Sequence, residues 1–240
     1  MAAVHLFLLP TCLGDTATGD VLPAAYLSRI ENLRVFFVED LRSARRFLRK
    51  LGFSTPFEEV LFIELNEHTR ESCLENVLDK AGIDPALLNR DMGVLSEAGL
   101  PCVADPGAMA VEWAHRKGIR VVPLSGPSSI FMALMASGFN GQNFAFSGYL
   151  PVPPQERRNR IAELENRALK SGQTQIFIET PYRSQQMFLS LLESCRPQTQ
   201  LCVACNITLP DEFIVTRSIA DWKKAPAELQ KKNTVFLISA

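Results

Sequence analysis

Short apolar runs alternate with helical segments through the first half of the chain, and this alternation constrains the fold more than any other feature. The predicted strands lie at residues 5–9, 34–38, 60–64, 93–95 and 119–122, and the predicted helices at 21–30, 40–51, 70–80 and 108–117. Successive strands joined by helices pair in parallel, because each crossover returns the chain to the same edge of the sheet. Strands that are apolar throughout are typical of a sheet covered on both faces. The first half is therefore predicted to be an α/β domain with a mainly parallel sheet.

Beyond residue 123 the pattern changes, because several of the last strands follow one another without an intervening helix. The predicted strands are 143–147, 174–179, 200–205, 212–218 and 234–239, and the predicted helices are 128–137, 155–170 and 182–195. Such an order favours a mixed sheet and a second domain. With the boundary near residues 124–126, the sequence predicts an N-terminal α/β domain at 1–123 and a C-terminal α/β domain at 124–240.

The near-neutral net charge of the chain excludes binding to a polyanion that is driven by the overall electrostatic field of the protein. Its 240 residues carry 25 Lys and Arg against 26 Asp and Glu, for a net charge of -1. Binding to nucleic acid or to an anionic membrane would therefore require a local patch. No apolar run approaches the roughly 18 residues of a membrane span, so no membrane association is predicted. Six scattered cysteines without an export signal favour reduced thiols and a cytoplasmic location.

The pair Cys202 and Cys205 forms a lone Cys-x-x-Cys motif. A structural zinc site needs two further ligands, and none of the three histidines has the appropriate spacing. On a strand the two thiols would also point to opposite faces. Buried small side chains are the favoured interpretation, and no metal site is predicted.

The loop from Ser96 to Gly107 follows a predicted buried strand and precedes a predicted helix. In parallel α/β sheets ligands bind at the carboxyl ends of the strands, so this position indicates a ligand-binding loop. Gly99 allows close approach or a positive φ, and the loop's two prolines stiffen it. Asp105 is expected to cap the helix with Pro106 as its first residue. Glu97 has no such structural role, and is the stronger candidate for a functional one.

Other loops at strand ends have similar features. Residues 9–15 follow the first strand, while 39–42 and 179–183 each place an acid near an arginine at a strand-to-helix turn. Residues 125–129 begin a helix with free N–H groups and the adjacent hydroxyls of Ser128 and Ser129, which suits a carboxylate or a hydroxyl-rich ligand. Helix capping explains Ser128 equally well.

Two helices carry dense basic runs, at residues 42–50 and 157–160. A solvated helix face is the default interpretation for such runs, and phosphate binding is the alternative. The sequence has no P-loop and no dinucleotide fingerprint. It also has no recognisable nucleophilic triad.

Taken in order, the loops resemble the motifs of a known family. The matching positions are Pro10-Thr11 with Gly14, Glu39-Asp40 with Arg42, Glu67-His68, Ser96 to Gly107, Gly126-Pro127-Ser128, Leu150-Pro151, and Glu179-Thr180-Pro181 with Arg183. They span nearly the whole chain and resemble the tetrapyrrole methylase superfamily. Within it the chain is most similar to the bacterial methyltransferases that modify a cytidine ribose 2′-hydroxyl in small-subunit ribosomal RNA.

The resemblance implies a two-domain α/β methyltransferase that binds S-adenosylmethionine in the cleft between its domains, usually as a homodimer. Its partner would be ribosomal RNA or the small ribosomal subunit. The cofactor-binding residues that the resemblance implies are Pro10, Thr11, Ser96, Glu97, Ala98, Gly99, Leu100, Pro101, Ser128, Ser129 and Thr180. Methyl transfer from a sulfonium is an in-line displacement that needs alignment and a dry site, and loops holding the cofactor supply both.

A ribose hydroxyl acceptor also has to lose its proton. The candidate bases are Glu39, Glu67 and His68. Arg42 and Arg183 are candidates for contacts to phosphate or for orienting the substrate. These five residues complete the predicted catalytic set.

Four positions and one short motif depart from the family pattern. The positions are Glu97 for the usual Asp, Leu100 for Thr, Ser125 for Pro and Tyr182 for His, and residues 206–208 alter the usual Glu-Leu-Thr motif. With the near-neutral charge, they leave two alternatives open. One is a methyltransferase of the same fold acting on a small tetrapyrrole-like molecule or another RNA, and the other is a non-catalytic cofactor-binding paralogue.

Overall fold

The computed structural model describes residues 4–66, 69 and 73–240. The chain divides into two compact units, Met1–Pro127 and Ser128–Ala240. Each unit contains one five-stranded sheet.

The sheet of the first unit is entirely parallel. Its strands are β1 (His5–Leu9), β2 (Val35–Val38), β3 (Leu61–Glu64), β4 (Met92–Leu95) and β5 (Arg120–Pro123). Their order is β3-β2-β4-β1-β5. All five strands end at the same edge, so the loops that follow them gather there. The predicted parallel α/β fold of the first half is confirmed.

The helices of the first unit are α1 (Thr18–Val21), α2 (Tyr26–Ile30), α3 (Leu41–Leu51), α4 (Leu74–Lys80) and α5 (Ala108–Arg116). The prediction of one helix over 21–30 is wrong. Leu22 precedes Pro23 and is extended (φ -110°, ψ 144°), because the proline ring disfavours the helical conformation of the residue before it. Of the helix predicted at 70–80, residues 70–72 lie outside the described part.

Alternate residues of β2 point into two apolar layers. Phe37 packs with side chains of α4 and α5, including Leu78 and Trp113, on one face of the sheet. Its neighbour Phe36 packs on the other face with side chains of α2 and α3, including Leu48. Burying each such side chain contributes about 1.5–3 kcal/mol. Covered on both faces, the sheet is a rigid support for the loops at its edge.

The sheet of the second unit is mixed, as predicted. Its elements are α6 (Ser129–Ser137), β6 (Phe144–Tyr149), α7 (Pro154–Ser171), β7 (Thr174–Glu179), α8 (Ser184–Ser194), β8 (Gln200–Cys205), β9 (Phe213–Ser218), α9 (Ile219–Lys224) and β10 (Thr234–Ser239). The strand order is β6-β7-β10-β8-β9, with β6 and β7 parallel and the other pairs antiparallel.

The core of this unit centres on four aromatic side chains. Phe177 stacks on Phe236 with ring centroids 5.7 Å apart, and Phe188 meets Trp222 edge to face at 5.4 Å. The Trp222 indole N–H donates to the Leu201 carbonyl at 2.9 Å, so its polar atom is satisfied inside the core. Within the described ranges, no helix has the length and apolar character that crossing a membrane requires.

Candidate functional site

The loops after β1 and β4 are joined by backbone pairing. The Thr11 N–H donates to the Gly99 carbonyl at 2.9 Å, and the Ser96 hydroxyl donates to the same carbonyl at 3.1 Å. Gly99 has a φ of +75°, and a Cβ there would lie 2.9 Å from a Leu13 methyl group. Only glycine fits this position without strain. Three of the predicted cofactor-binding residues, Thr11, Ser96 and Gly99, are thus brought together.

The loop after β5 packs against the same place. A Cβ on Gly126 would lie only 2.2 Å from the Cβ of Pro10. The Tyr26 hydroxyl donates to the Pro10 carbonyl at 2.7 Å, and burial raises the pKa of Tyr26 above its ordinary value, so it remains a donor. The ends of the neighbouring strands β4, β1 and β5 are therefore locked into one structure, in which Pro10 is held from two sides.

Thr11 places a polar side-chain atom within these interlocked loops. Thr11 is 3% exposed, and its hydroxyl oxygen makes no hydrogen bond with any described residue. Leaving a buried hydroxyl unpaired costs about 1–3 kcal/mol, although Thr11 is otherwise held firmly through its backbone. A ligand that hydrogen-bonds this hydroxyl recovers that energy. The residues present thus fit a polar ligand bound at the carboxyl ends of β1 and β4.

Glu97 and Ala98 form the exposed tip of the loop after β4, whereas Pro101 is buried and Leu100 partly so. The expectation that Glu97 lacks a structural contact is wrong, because the Ser43 hydroxyl donates to its carboxylate at 3.0 Å. Ser43 belongs to the first turn of α3, so this contact joins the β4 loop to that helix. A local sequence pattern could not show it, since the two residues are 54 positions apart.

Asp105 stabilises the second half of this loop, but not as the predicted helix cap. Its Oδ1 accepts the N–H groups of Cys102 at 3.2 Å and Gly107 at 2.6 Å, and α5 begins later, at Ala108. The loop contains Cys102 and Ala104 in the left-handed conformation, so it is too irregular to start a helix at Pro106. Burial and then the Asp105 charge raise the pKa of Cys102 to about 12, so its thiol is protonated at neutral pH.

Glu39, Asp40 and Arg42 lie where β2 ends and α3 begins. Glu39 is partly buried directly after β2, and Arg42 is exposed on the first turn of α3. Between them Asp40 caps α3 by accepting the Ser43 N–H at 2.7 Å, and hydrogen bonds from Ser43 lower the pKa of Asp40. The other two candidate bases, Glu67 and His68, lie outside the described residues.

In the second unit, Ser128 and Ser129 begin α6. The Ser128 hydroxyl accepts the Phe131 N–H at 3.4 Å, so Ser128 is a helix cap. This is the capping role that the sequence left open beside ligand binding.

Arg183 makes an ion pair at the turn that follows β7. Its guanidinium lies 2.7 Å from the Glu179 carboxylate, whose side chain is 2% exposed and which also accepts the Thr180 N–H at 2.7 Å. The Thr180 carbonyl in turn accepts the Ser184 N–H at 3.0 Å. Arg183 is therefore held within the turn, an arrangement that favours a structural role over a contact to phosphate.

Thr208 has two features that are typical of a ligand contact, although no functional role was predicted for it from the sequence. It lies in the loop after β8 with a φ of +72°, a strained conformation for a β-branched residue. Its hydroxyl is buried and, among the described residues, has no hydrogen-bond partner. The sequence shows the altered family motif at residues 206–208, but it could not show the backbone strain.

The cysteines of the Cys-x-x-Cys motif are both fully buried in β8, where burial raises the pKa of each thiol. No group of three or more potential metal ligands occurs within residues 4–66, 69 and 73–240. All six cysteines are free thiols.

Comparisons with known proteins identify the class. The sequence model of the family described as tetrapyrrole (corrin/porphyrin) methylases matches residues 19–222. The chain therefore belongs to this family of methyltransferases, as the resemblance predicted, and it is an enzyme.

Several similar relatives share one name. Proteins called "Ribosomal RNA small subunit methyltransferase I" from Vibrio cholerae and Xylella fastidiosa are each 27% identical to it over 97% of this chain, covering 76% and 80% of the relatives. A protein of the same name from Leptospira borgpetersenii is 30% identical over 98% of this chain and 87% of its own length.

Solved structures agree on the fold. The crystal structure of the methyltransferase CobJ superposes with a TM-score of 0.59 at 19% identity, covering 100% of this chain and 94% of that one. Uroporphyrin III C-methyl transferase from Thermus thermophilus gives 0.54 at 15% identity, covering 98% and 97%. At these identities the likeness concerns the fold alone.

Proposed function

We propose that this chain is an S-adenosylmethionine-dependent methyltransferase that methylates a ribose 2′-hydroxyl in small-subunit ribosomal RNA. The names of its relatives support the RNA substrate. The resemblance of its ordered loop motifs to the ribose-methylating members of the family supports the ribose hydroxyl as acceptor. The observation that carries the proposal is the buried, unpaired hydroxyl of Thr11 within the interlocked strand-end loops.

The residues of the first unit that would hold the cofactor are Pro10, Thr11 and the segment from Ser96 to Pro101. S-adenosylmethionine supplies an electrophilic methyl group when bound. Its amino, carboxylate and ribose groups are polar, which matches an unpaired hydroxyl and backbone N–H groups in a dry setting. Ser128, Ser129 and Thr180 are further proposed contacts from the second unit.

The chain's own residues then have to accept a proton from the ribose. Glu39 is the described candidate for this role, because it is a partly buried carboxylate directly after β2, whose neighbour in the sheet is β4. Glu67 and His68 stay predicted alternatives. Arg42, exposed on α3, is proposed to contact RNA, whereas Arg183 is proposed to hold the turn after β7.

A tetrapyrrole-like acceptor is a weaker candidate. It is suggested only by the family description and by the name of one structural neighbour that shares 15% identity. Homodimer formation remains a proposal that follows from the resemblance, and a cytoplasmic location one that follows from the scattered cysteines.

The test has two parts. Calorimetry with S-adenosylmethionine should show one site with a micromolar dissociation constant, and no binding at millimolar cofactor would overturn the proposal. Transfer of labelled methyl groups to small-subunit RNA from cells lacking this protein should then yield a 2′-O-methylated nucleotide. Cofactor binding without transfer to that RNA would refute the substrate and leave the methyltransferase assignment standing.

A further inference from the structure

The basic residues of α3 form a continuous stripe. The stripe comprises Arg42, Arg45, Arg46, Arg49 and Lys50. At 100° per residue, these five side chains cover an arc of about 140°, on the side of the helix opposite the buried Ala44 and Leu48. Along the axis, at 1.5 Å per residue, the stripe extends about 12 Å. Five of the chain's 25 basic residues are therefore concentrated on one helix face, although the net charge is only -1.

Aromatic rings, and not carboxylates, hold one edge of the stripe. The Arg45 guanidinium lies over the rings of Phe62 and Phe57, at 5.3 and 5.7 Å from their centroids, and Arg49 lies over Phe57 at 5.1 Å. A guanidinium held by a ring keeps its full charge and its N–H donors. The Arg45 Nε is buried and has no hydrogen-bond partner among the described residues.

Carboxylates neutralise the rest of the stripe only in part, with Asp15 acting on Lys50 and Arg46 and Asp40 acting on Arg42. Lys50 pairs with the exposed Asp15 at 2.5 Å, and this contact lowers the pKa of Asp15. Arg42 and Arg46 are exposed, and neither makes an ion pair with a described carboxylate. The basic face of α3 is therefore not a solvated surface whose charges are paired in salt bridges.

The stripe starts beside the candidate site. α3 begins directly after β2, at the sheet edge where the strand-end loops gather, and the hydrogen bond from Ser43 to Glu97 ties its first turn to the loop after β4. An extended polyanion lying on the stripe would therefore lead towards these loops.

We infer that this stripe binds the sugar-phosphate backbone of the RNA substrate next to the methylated ribose. The inference rests on the proposed function. At roughly 3.4 Å per stacked nucleotide, 12 Å corresponds to about three or four phosphates. This is about one phosphate for each arginine of the stripe. Arginine supplies the planar donors that suit phosphate oxygens, and its contacts position RNA without reading its sequence.

The experiment compares salt dependence between two variants that lose the same charge. Arg42→Gln/Arg46→Gln/Arg49→Gln removes three charges from the stripe, and Arg158→Gln/Lys170→Gln/Lys223→Gln removes three exposed charges from the second unit. Binding to a fluorescent transcript of small-subunit ribosomal RNA is measured by anisotropy from about 50 to about 200 mM salt, the range over which phosphate contacts are lost. Calorimetry with S-adenosylmethionine and thermal unfolding report on the integrity of each variant.

For the stripe variant, the slope of log K against log[salt] should become shallower by about 2, since each phosphate contact to a single strand contributes about 0.7. By the same relation, affinity should fall by up to about 100-fold at roughly 0.1 M salt. The control variant should keep the wild-type slope. Arg46→Gln alone should change the slope by about 0.7. Arg46 makes no hydrogen bond or ion pair with a described residue, so this single variant keeps the test valid if the triple variant folds poorly.

Three outcomes would overturn the inference. If the stripe variant and the control have equal slopes while the wild type methylates the RNA, the inference fails and the proposed function stands. If the wild type binds no RNA, the RNA substrate fails as well. If the wild type binds anionic phosphatidylserine vesicles through the stripe but not RNA, the stripe is a membrane contact.

Discussion

The strand-end loops of the first unit and the turn after β7 in the second unit differ in how their buried polar groups are paired. Around β7, the Glu179 carboxylate is paired with Arg183 and with the Thr180 N–H. In the first unit the Thr11 N–H is paired with the Gly99 carbonyl, while the buried Thr11 hydroxyl has no partner among the described residues. Satisfied polar groups indicate a structural role, whereas an unsatisfied one in a rigid setting indicates a ligand. We therefore propose that Thr11 contacts a ligand and that Arg183 supports the structure.

The largest effect is expected where the loops of the first unit lock together. Gly126→Ala puts a methyl group 2.2 Å from the Pro10 ring, which cannot move aside without disturbing the loop after β1. The free energy of unfolding should fall by about 3 kcal/mol, as in overpacked cores, and cofactor affinity should fall with it. Urea unfolding and calorimetry measure the two effects.

Gly19→Ala is the matched control, because a Cβ at Gly19 would meet nothing within 4 Å. Its stability should change by less than about 1 kcal/mol. Equal stability of the two variants would show that the loops are not interlocked.

Arg183→Met tests the structural side of the comparison. It leaves the buried Glu179 carboxylate without its cation, and the cost should be about 2 kcal/mol, less than for a fully buried pair because Arg183 is 26% exposed. Arg158→Met, on the exposed face of α7, should be nearly neutral. If Arg183→Met instead keeps full stability and weakens RNA binding, then Arg183 contacts phosphate and does not have the proposed structural role.

Thr11→Val tests the ligand side. Valine has nearly the same shape but no hydroxyl, so affinity for S-adenosylmethionine should fall about tenfold, the equivalent of roughly 1.4 kcal/mol, while stability is unchanged or slightly higher. Thr55→Val, at a position whose hydroxyl makes only a 3.5 Å contact, serves as control. A loss of stability without a change in affinity for S-adenosylmethionine would show that Thr11 has a structural role instead of a ligand-binding one.

The smallest effect concerns the cap of α3. Hydrogen bonds from Ser43 lower the pKa of Asp40 in the folded state, so Asp40 contributes stability above its unfolded pKa of about 3.9, and this contribution is lost as pH falls through the lowered value. Asp40→Asn keeps a capping side chain but cannot titrate. The difference in stability between wild type and variant should therefore shrink below about pH 4. A difference that is constant from pH 3 to 7 would contradict the assignment.

The alternation of strands and helices was sufficient to predict both sheets, because parallel pairing and helix crossovers follow from local order. The break at Pro23 could have been predicted from the proline alone, whereas the late start of α5 depends on the contacts of Asp105 within its loop. The site was predictable only as a set of loops. The partner of Glu97 and the unpaired hydroxyl of Thr11 depend on contacts between residues far apart in sequence, which no local pattern records.

We propose that the strand-end loops of the first unit bind a methyl donor whose methyl group is transferred to ribosomal RNA. The most direct measurement is to map 2′-O-methylated riboses in small-subunit RNA from cells that lack this protein, and then from the same cells given the wild type or Thr11→Val. We expect one methylated ribose to be missing, and to be restored fully by the wild type and only partly by the variant. An unchanged methylation pattern in cells lacking the protein would contradict this expectation.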